Sequence, residues 1–363
     1  MNRLGLYIIR LAGGEALGIF GLSMAIMFLV ECLRVSDGGG FAGGSIGSGL
    51  TIVLLGLPGI GLVFLTVALA MGLGRALRTL AASRELHIIH ASNRIGALFG
   101  AILLYLVVGT LLVLVIAHEI APTTSRLATS VRAEAAADLV NRSLRPNSFA
   151  PLSEGVTVSV TGRSGQGEIT GFFADDRRSD PRRTYIARSA LLVRDDLGYV
   201  LRLNDGRVQY LGADGRFSEM AFVHYDIGLE RLTEAGSPNE QRRGTTTSAL
   251  LTAVAGGETL DADQWRRIGE RTAEGLRVLV LGLFVLAFVG FPDGRRKPPI
   301  LPVELFVLLL ALGERAVPSL LGGLGALAPL SGIISFGLVA VVIFAVRFLP
   351  RLPRLGPRRR VAP

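Results

Sequence analysis

The segment Arg75–Arg94, RALRTLAASRELHIIHASNR, lies between two long apolar runs, and the arrangement of the whole chain follows from it. It holds one acid, Glu85, and four arginines: Arg75, Arg78, Arg84 and Arg94. Short loops that are rich in Lys and Arg stay on the cytosolic side of a bilayer. The segment is therefore predicted to be a cytosolic loop between two membrane-spanning helices.

A short helix is predicted inside this loop, with Ser83 as its N-cap. Glu85 falls in the first turn, where a carboxylate suits the helix dipole. Leu86, Ile88 and Ile89 offer an apolar surface that is too small to anchor a membrane and is suited to docking on a protein. Two interpretations stay open: a surface gripped by a separate motor protein, or an interfacial helix with no partner.

The composition predicts an integral membrane protein that carries a second, polar part. Half of the 363 residues are apolar, and several runs of about 18 or more residues are almost free of charge. The net charge of +9 does not indicate nucleic acid, because residues 122–262 balance 17 Arg against 18 Asp and Glu, so the excess flanks the membrane. Cys32 is the only cysteine, which excludes an intrachain disulfide.

Six membrane spans are predicted, in two groups of three, and the first is taken as retained because it lacks a signal-peptide cleavage pattern. After an amphipathic lead-in over residues 2–15, the first group is Ala16–Leu33, Leu50–Gly74 and Ile95–Ala121. A kink is expected at Pro58, and an end of the third span at Pro122. A helix at Asp263–Arg277 is predicted to continue into the fourth span, which ends at Pro292, followed by Ile300–Leu321 and Pro329–Leu349.

The positive charge of the short loops predicts the orientation. With a cytosolic N-terminus, the short inside loops and the tail hold 14 Lys and Arg, and the short outside loops hold two, Arg34 and Arg315. Arg266, Arg267 and Arg271 also fall outside, but they adjoin the large outside domain, for which the rule is weak. Both termini, including the basic tail 351–363, are then cytosolic. The predicted plan is three spans (residues 1–121), an outside domain (122–262) and three spans (263–350).

The outside domain is predicted to be an antiparallel β domain of at least six strands. A polar helix over Thr123–Leu144 precedes strand-like runs between Gly155 and Leu229, in which apolar residues such as Val156, Val158 and Val160 alternate with Thr and Ser. Asn204-Asp205-Gly206 and Ala213-Asp214-Gly215 are hairpin signals.

No catalytic residue, cofactor or metal site is predicted. A P-loop needs a lysine followed by Ser or Thr, but the only lysine, Lys297, precedes Pro298. His118-Glu119 begins a zinc-protease motif whose second histidine would fall at Pro122, so that motif fails. His87 and His90 have the spacing of two metal ligands, with Glu85 nearby, but polar residues on an exposed helix face are far commoner.

Charged residues at membrane depth are costly and usually functional. Arg34 ends the first span, Arg315 follows Glu314 at the end of the fifth, and Arg277 lies near the outer end of the fourth. Together they are predicted to form a cationic lip that binds phosphate groups. The alternative is that these arginines only anchor the ends of the spans by snorkelling.

These features resemble the lipopolysaccharide-export permeases of the LptF/LptG (YjgP/YjgQ) family over almost the full length. The resemblance rests on the plan of three spans, β domain and three spans, and on Ser83-Arg84-Glu85-Leu86, which is similar to the family's coupling-helix segment. It rests also on the Pro-containing exit His118–Pro122 and on the strand–turn–strand element Phe172–Val193. That element and Glu31-Cys32-Leu33-Arg34 look more like the LptF branch.

The resemblance implies a permease subunit of an ABC transporter in the bacterial inner membrane, with a periplasmic β-jellyroll-like domain. It implies four partners: an LptG-type sister permease in a heterodimer, an LptB-type ATPase dimer that binds the ATP, an LptC-type bitopic protein and a periplasmic bridge protein. The cargo would be lipopolysaccharide. Arg84, Glu85, Leu86 and Ile89 would meet the ATPase, and Arg34 would meet lipid phosphates.

Two departures from the family pattern stand out. His90-Ala91-Ser92-Asn93 replaces the usual Arg-Ala-Ala-Gly, and a proline is missing around Gly275–Arg277. Two other functions stay open: an efflux-type ABC permease for another amphiphile, and a membrane assembly factor that transports nothing. The number of spans and a co-purifying ATPase would separate these possibilities.

Overall fold

A computed structural model of the chain describes twelve segments: residues 3–37, 46–92, 94–143, 146–153, 155–164, 168–178, 180–195, 198–212, 214–228, 244–291, 301–320 and 328–348. The glycine-rich connection after the first predicted span, the basic turn around Lys297 and the basic tail lie mostly or wholly outside them. The chain forms two compact units. The helical unit is Met1–Ile26, Ile60–Ile120 and Thr247–Pro363, and the sheet unit is Met27–Gly59 and Ala121–Thr246.

The described residues form nine α-helices: α1 (Arg3–Asp37), α2 (Ile46–Ala82), α3 (Glu85–Ala91), α4 (Ile95–Val115), α5 (Ala121–Ser143), α6 (Thr247–Ala255), α7 (Ala262–Val289), α8 (Val303–Leu320) and α9 (Ala328–Phe348). Within the part of the chain that the structure describes, five helical stretches are long and apolar enough to cross a membrane: Arg3–Ser36, Gly47–Ala82, Ile95–Arg132, Ala262–Val289 and Ala328–Phe348. Helix α8 covers the predicted fifth span and carries three charged residues, Glu304, Glu314 and Arg315. The division into three and three spans stays a prediction.

The helices that contain the first two predicted spans extend beyond the predicted bounds. The lead-in and the first span form one helix that begins at Arg3, since no proline separates them. Helix α2 continues past Gly74 to Ala82, because residues 75–82 are mostly good helix formers. Arg75 and Arg78 therefore lie on α2, and Pro58 lies inside the same helix.

Pro122 does not end the helix that contains the predicted third span. Helix α4 passes into a π-helical turn, Ile116–Ile120, and the chain continues directly as α5 with Pro122 in its first turn. A proline inside an α-helix removes one backbone hydrogen bond and clashes with the carbonyl four residues earlier, here that of His118. The wider turn directly before Pro122 accommodates the ring without ending the helix.

Small residues bring the helices of the helical unit close together. A Cβ atom at Gly72 of α2 would lie 2.6 Å from the backbone nitrogen of Ala16 in α1. One at Gly282 of α7 would lie 2.2 Å from the side chain of Leu106 in α4. Close approach at small residues is the usual way in which helices pack inside a membrane, where burial of apolar surface gives little drive.

The described residues of the sheet unit form seven antiparallel strands: β1 (Ser148–Ser153), β2 (Val156–Val160), β3 (Gly162–Arg163), β4 (Ile169–Asp176), β5 (Arg182–Asp195), β6 (Gly198–Leu211) and β7 (Phe217–Gly228). Their order is β1-β2-β4-β5-β6-β7, with β3 paired to β4. The predicted antiparallel β domain is confirmed, and in this chain it is one sheet of sequentially paired strands. Val156, Val158 and Val160 are buried in its core as the alternation predicts.

One predicted hairpin signal is not a turn. Asp214 and Gly215 lie between β6 and β7, with Gly215 at φ +77°, and Ala213 of the same signal lies outside the described residues. Asn204-Asp205-Gly206 instead lies inside β6, where Asp205 has φ +48° and the flanking residues pair with both β5 and β7. A Cβ at Gly206 would lie 2.3 Å from the carbonyl oxygen of Ile186, so this position requires glycine for close strand approach rather than for a turn.

Candidate functional site

Helix α3, the predicted coupling helix, is anchored to the helical unit by its apolar side. Leu86 is fully buried and Ile89 is 6% exposed, whereas Ile88 is 65% exposed. Of the three apolar residues predicted to face a partner, only Ile88 is therefore presented at the surface of this chain. Leu86 and Ile89 hold the helix in place, with Glu85 half-buried in its first turn.

The start of α3 is not capped as predicted. Arg84 precedes the helix in the left-handed conformation, with φ +63° and ψ +4°, and no side chain caps the helix. The Ser83 hydroxyl donates back to the Leu80 carbonyl at 3.3 Å, on the preceding helix. The break between α2 and α3 thus occurs at Arg84, a residue type that rarely adopts this conformation.

The basic segment is bonded to α7 and α8 within the helical unit. Arg75 Nε donates to Glu304 Oε1 at 2.8 Å, and Arg78 Nη2 donates to the Leu301 carbonyl at 2.8 Å. His90 Nε2 lies 3.1 Å from the carbonyl oxygen of Gly290, the residue that ends α7. His90 therefore contacts a helix end, which sequence reasoning missed because the two residues are far apart in the chain.

Four charged residues from α7 and α8 form a neutral group, here called the charge cluster: Glu274, Arg277, Glu314 and Arg315. Glu314 is fully buried, Arg277 is 5% exposed, and the Arg277 guanidinium forms a two-point contact with the Glu314 carboxylate. Arg277 Nη1 also lies 2.5 Å from Glu274 Oε2. Arg315 Nη2 donates to the same carboxylate at 2.9 Å. The cluster joins α7 to α8 with no net charge.

The charge cluster changes the interpretation of the predicted cationic lip. Arg277 and Arg315 lie together as predicted, but each is already paired with glutamate. Arg34 belongs to the sheet unit, and its side chain is 71% exposed. Its Nη1 lies 2.9 Å from Glu31 Oε1. Sequence reasoning missed Glu274, although its position three residues before Arg277 on one helix was a usable signal.

The residues of the predicted span exit, His118 and Glu119, hold the start of α6. The Ser248 backbone N–H and hydroxyl donate to the Glu119 carboxylate at 3.2 and 2.9 Å, so that Glu119 caps the first turn of α6. His118 Nδ1 lies 2.8 Å from Thr247 Oγ1, which also accepts from Arg271 Nη1 at 2.9 Å. These contacts tie the end of one chain segment to the beginning of the next within the helical unit.

The turn between β4 and β5 contains a second set of arginine–carboxylate contacts. Asp175 is 3% exposed and accepts two hydrogen bonds from Arg182, at 2.8 and 2.6 Å, and one from Arg177 at 2.8 Å. The bonds from Arg182, supported by those from Arg177 and Thr184, lower the pKa of Asp175 to about 2 against the opposing effect of burial. This element is part of the predicted strand–turn–strand segment.

The chain was compared with known protein families and with curated proteins. The family model described as lipopolysaccharide export system permease LptF/LptG matches residues 6–350, which include both compact units. The match does not separate the LptF branch from the LptG branch. No curated protein matches the chain.

Proposed function

The chain belongs to the LptF/LptG family of lipopolysaccharide export permeases, and from this premise we propose how it works. It is the permease subunit that takes lipopolysaccharide out of the bacterial inner membrane and passes it to a periplasmic bridge protein. An LptG-type permease is its heterodimer partner, and an LptC-type bitopic protein receives the lipid. We assign the chain to the LptF branch on the residues Glu31-Cys32-Leu33-Arg34 and Phe172–Val193.

The energy enters at α3. The chain has no P-loop lysine, so an LptB-type ATPase dimer supplies the work of lifting acyl chains from the bilayer, at about 0.8 kcal/mol per CH₂. The observation that carries this proposal is the anchoring of α3: Leu86 and Ile89 are buried while Ile88 is exposed. When a partner displaces a helix that is packed in this way, the residues of the helical unit that contact it move together with it.

The coupling residues divide into two kinds. Glu85 and Ile88 make direct contact with the ATPase, and Leu86 and Ile89 act through their packing. Arg84 sets the direction of α3 at the left-handed turn. The ATP stays in the partner, and this chain carries no catalytic residue, cofactor or metal.

The lipid phosphates meet Arg34 first. Its guanidinium is the most accessible of the three predicted arginines, with a side chain that is 71% exposed and a single ion pair, to Glu31, to exchange for phosphate. Arg315, with a side chain 34% exposed, can follow by exchanging Glu274 for phosphate through charge-assisted hydrogen bonds. Arg277 is buried and paired twice, so its contribution is to fix α7 against α8 rather than to bind the lipid directly.

A second permease fits the exposure of α1. In an apolar 18-residue stretch of this helix only 6% of the residues are buried within this chain, and four large apolar side chains at helical spacing are exposed on one face: Leu22, Ile26, Leu29 and Leu33. A stripe of this kind faces either lipid or another helix. The sister permease and the cargo lipid would share it.

The test is purification in a mild detergent, followed by mass spectrometry of the associated proteins and lipids. We expect an ATPase, a second permease and bound lipopolysaccharide. A Glu85→Ala variant should lose most of the ATPase and keep the second permease, and a Glu168→Ala variant in the sheet unit is the control. Recovery of the chain with no ATPase would favour an assembly factor. Recovery of an ATPase together with another amphiphile would favour an efflux permease.

A further inference from the structure

We infer that His90 is the positioning residue through which movement of α3 reaches α7. The inference rests on the proposed function, in which a partner ATPase displaces α3. It adds the path by which that displacement enters the transmembrane part of the chain. Neither the composition of the loop nor the family match assigns this role to His90.

The first step is the contact itself. His90 lies in the last turn of α3, and its Nε2–H donates to the carbonyl oxygen of Gly290 at 3.1 Å. The last carbonyls of a helix have no partner inside the helix, so a donor from another element is bonded to the helix end specifically. A hydrogen bond is directional, and a shift of α3 therefore acts on one defined atom at the end of α7.

The second step is the ring beside that carbonyl. The His90 imidazole lies edge-on to the Phe291 ring, with centroids 6.0 Å apart, and Phe291 is 4% exposed. His90 thus contacts two consecutive residues by two kinds of interaction. By contrast, Leu86 and Ile89 contribute apolar packing, which is non-directional and favours no particular movement.

The third step is the position of this helix end among other helices. The ring centroid of Phe291 lies 6.1 Å from that of Phe99 in α4 and 6.2 Å from that of Phe344 in α9. Arg347 of α9 donates to the Ala287 carbonyl at 2.8 Å. A displacement that arrives at Gly290 therefore reaches α4 and α9 through direct contacts.

The fourth step is the length of α7. Its 28 residues contain no proline, and Arg277 lies thirteen residues before Gly290, about 20 Å along the helix. Helix α7 is continuous over this distance, with no proline to cause a sharp kink. A displacement of Gly290 should therefore be transmitted along α7 to the charge cluster. The cluster includes Arg315, which we propose as a lipid-phosphate contact.

The experiment uses the complete complex in proteoliposomes, with wild type, His90→Ala, His90→Gln and a control, His224→Ala, on exposed strand β7. We measure the amount of ATPase that stays bound, the amount of ATP that is hydrolysed, and the amount of lipopolysaccharide that is released for each ATP. Loss of the His90 hydrogen bond should lower lipid release per ATP about five- to tenfold, with the ATPase retained. The glutamine amide can donate to the same carbonyl, so His90→Gln should recover much of the loss. His224→Ala should match wild type.

A second readout does not depend on lipid release. Amide hydrogen exchange of α3 and of the last turns of α7 is compared with and without ATP and vanadate. In wild type both regions should respond to nucleotide, and in His90→Ala only α3 should respond. If lipid release fails in wild type while this pattern holds, the proposed cargo is wrong and the role of His90 stands.

Three results would overturn the inference. The first is a His90→Ala complex that releases as much lipopolysaccharide per ATP as wild type. The second is hydrogen exchange of α7 that changes with nucleotide equally in wild type and in His90→Ala. The third is a His90→Ala complex that loses the ATPase. The last would make His90 a docking residue. Absence of any nucleotide response in wild type would overturn both this inference and the proposed coupling.

Discussion

Helix α7 is held at two places by different chemistry. At Arg277 it is fixed to α8 by buried charges, in contacts that depend on exact placement of donors and acceptors. At Gly290 it is held by a histidine, an arginine and a set of phenylalanine rings. Aromatic edge-to-face contacts tolerate shifts of orientation at small cost, whereas a buried ion pair does not. The difference suggests a helix that pivots at its charged position and moves at its aromatic end.

The largest expected effect comes from breaking the charged position. Glu314→Ala leaves the Arg277 guanidinium buried without its main partner, and we expect a loss of about 3–5 kcal/mol of stability. The measurement is the unfolding midpoint of the purified protein in detergent, with unfolding monitored as the loss of the helical circular dichroism signal.

The control for this prediction removes both partners. An Arg277→Met and Glu314→Met double variant replaces the pair with apolar side chains and should unfold near the wild-type temperature, since it leaves no buried charge. A double variant as unstable as Glu314→Ala would mean that packing, and not the unpaired charge, sets the cost.

The second effect compares the charge cluster with the contacts of Asp175 on the sheet. There the carboxylate is buried and the arginines are more exposed. The folded pKa of Asp175 is about 2 against an ordinary 3.8, so its contribution, about 2 kcal/mol, is present above pH 4 and is lost as the pH falls toward 2. We expect the unfolding midpoint of the sheet signal to fall over this range.

The Asp175→Asn variant isolates this contribution. An amide does not titrate in this range, so the variant should be less stable than wild type at pH 6 and should lose part of the acid-induced decrease. An unchanged pH profile in the variant would assign the acid sensitivity to other carboxylates.

The third effect concerns the aromatic end of α7. The Phe99 ring lies within 6.1 Å of three other rings, those of Phe291, Phe344 and Phe348. Phe99→Leu keeps an apolar but smaller side chain and loses the ring geometry, for an expected cost of about 1–2 kcal/mol. The unfolding midpoint in detergent measures this cost. A loss of stability as large as that of Glu314→Ala would remove the contrast between the charged position and the aromatic end of α7.

The smallest effect is expected at the end of α2. Arg75 and Glu304 are 45% and 35% exposed in their side chains, and exposed ion pairs contribute less than about 1 kcal/mol. Arg75→Gln should leave the unfolding midpoint nearly unchanged at 150 mM salt. A loss comparable to that of Phe99→Leu would show that this pair is structural.

Much of the architecture was predictable because a bilayer leaves few choices. Long uncharged runs must form helices there, and alternating runs with turn signals form sheets elsewhere. The errors occur where neighbours override local signals. Asp205-Gly206 has hairpin chemistry, but strands on both sides pair across it. Pro122 should end a helix, but a π-helical turn accommodates it.

The candidate site was predictable as a region and not as contacts. The basic loop and Arg277 stand out by charge alone. The inward packing of Leu86 and Ile89, the pairing of Glu274 with two arginines and the bond from His90 to Gly290 all depend on tertiary structure. Sequence separations of 41 and 200 residues in two of these contacts explain why no local pattern reveals them.

The most direct test of the account is the side of the membrane on which α3 and the sheet lie. In a Cys32→Ser background, Ile88→Cys on α3 and Val223→Cys on β7 provide two single cysteines of equal exposure, 65% and 66%. We predict that a membrane-impermeant maleimide added to cells with a permeabilised outer membrane labels Val223→Cys and leaves Ile88→Cys unlabelled until the inner membrane is opened. Labelling of Ile88→Cys alone in intact inner membranes would contradict energy input from the cytosol and lipid delivery on the other side.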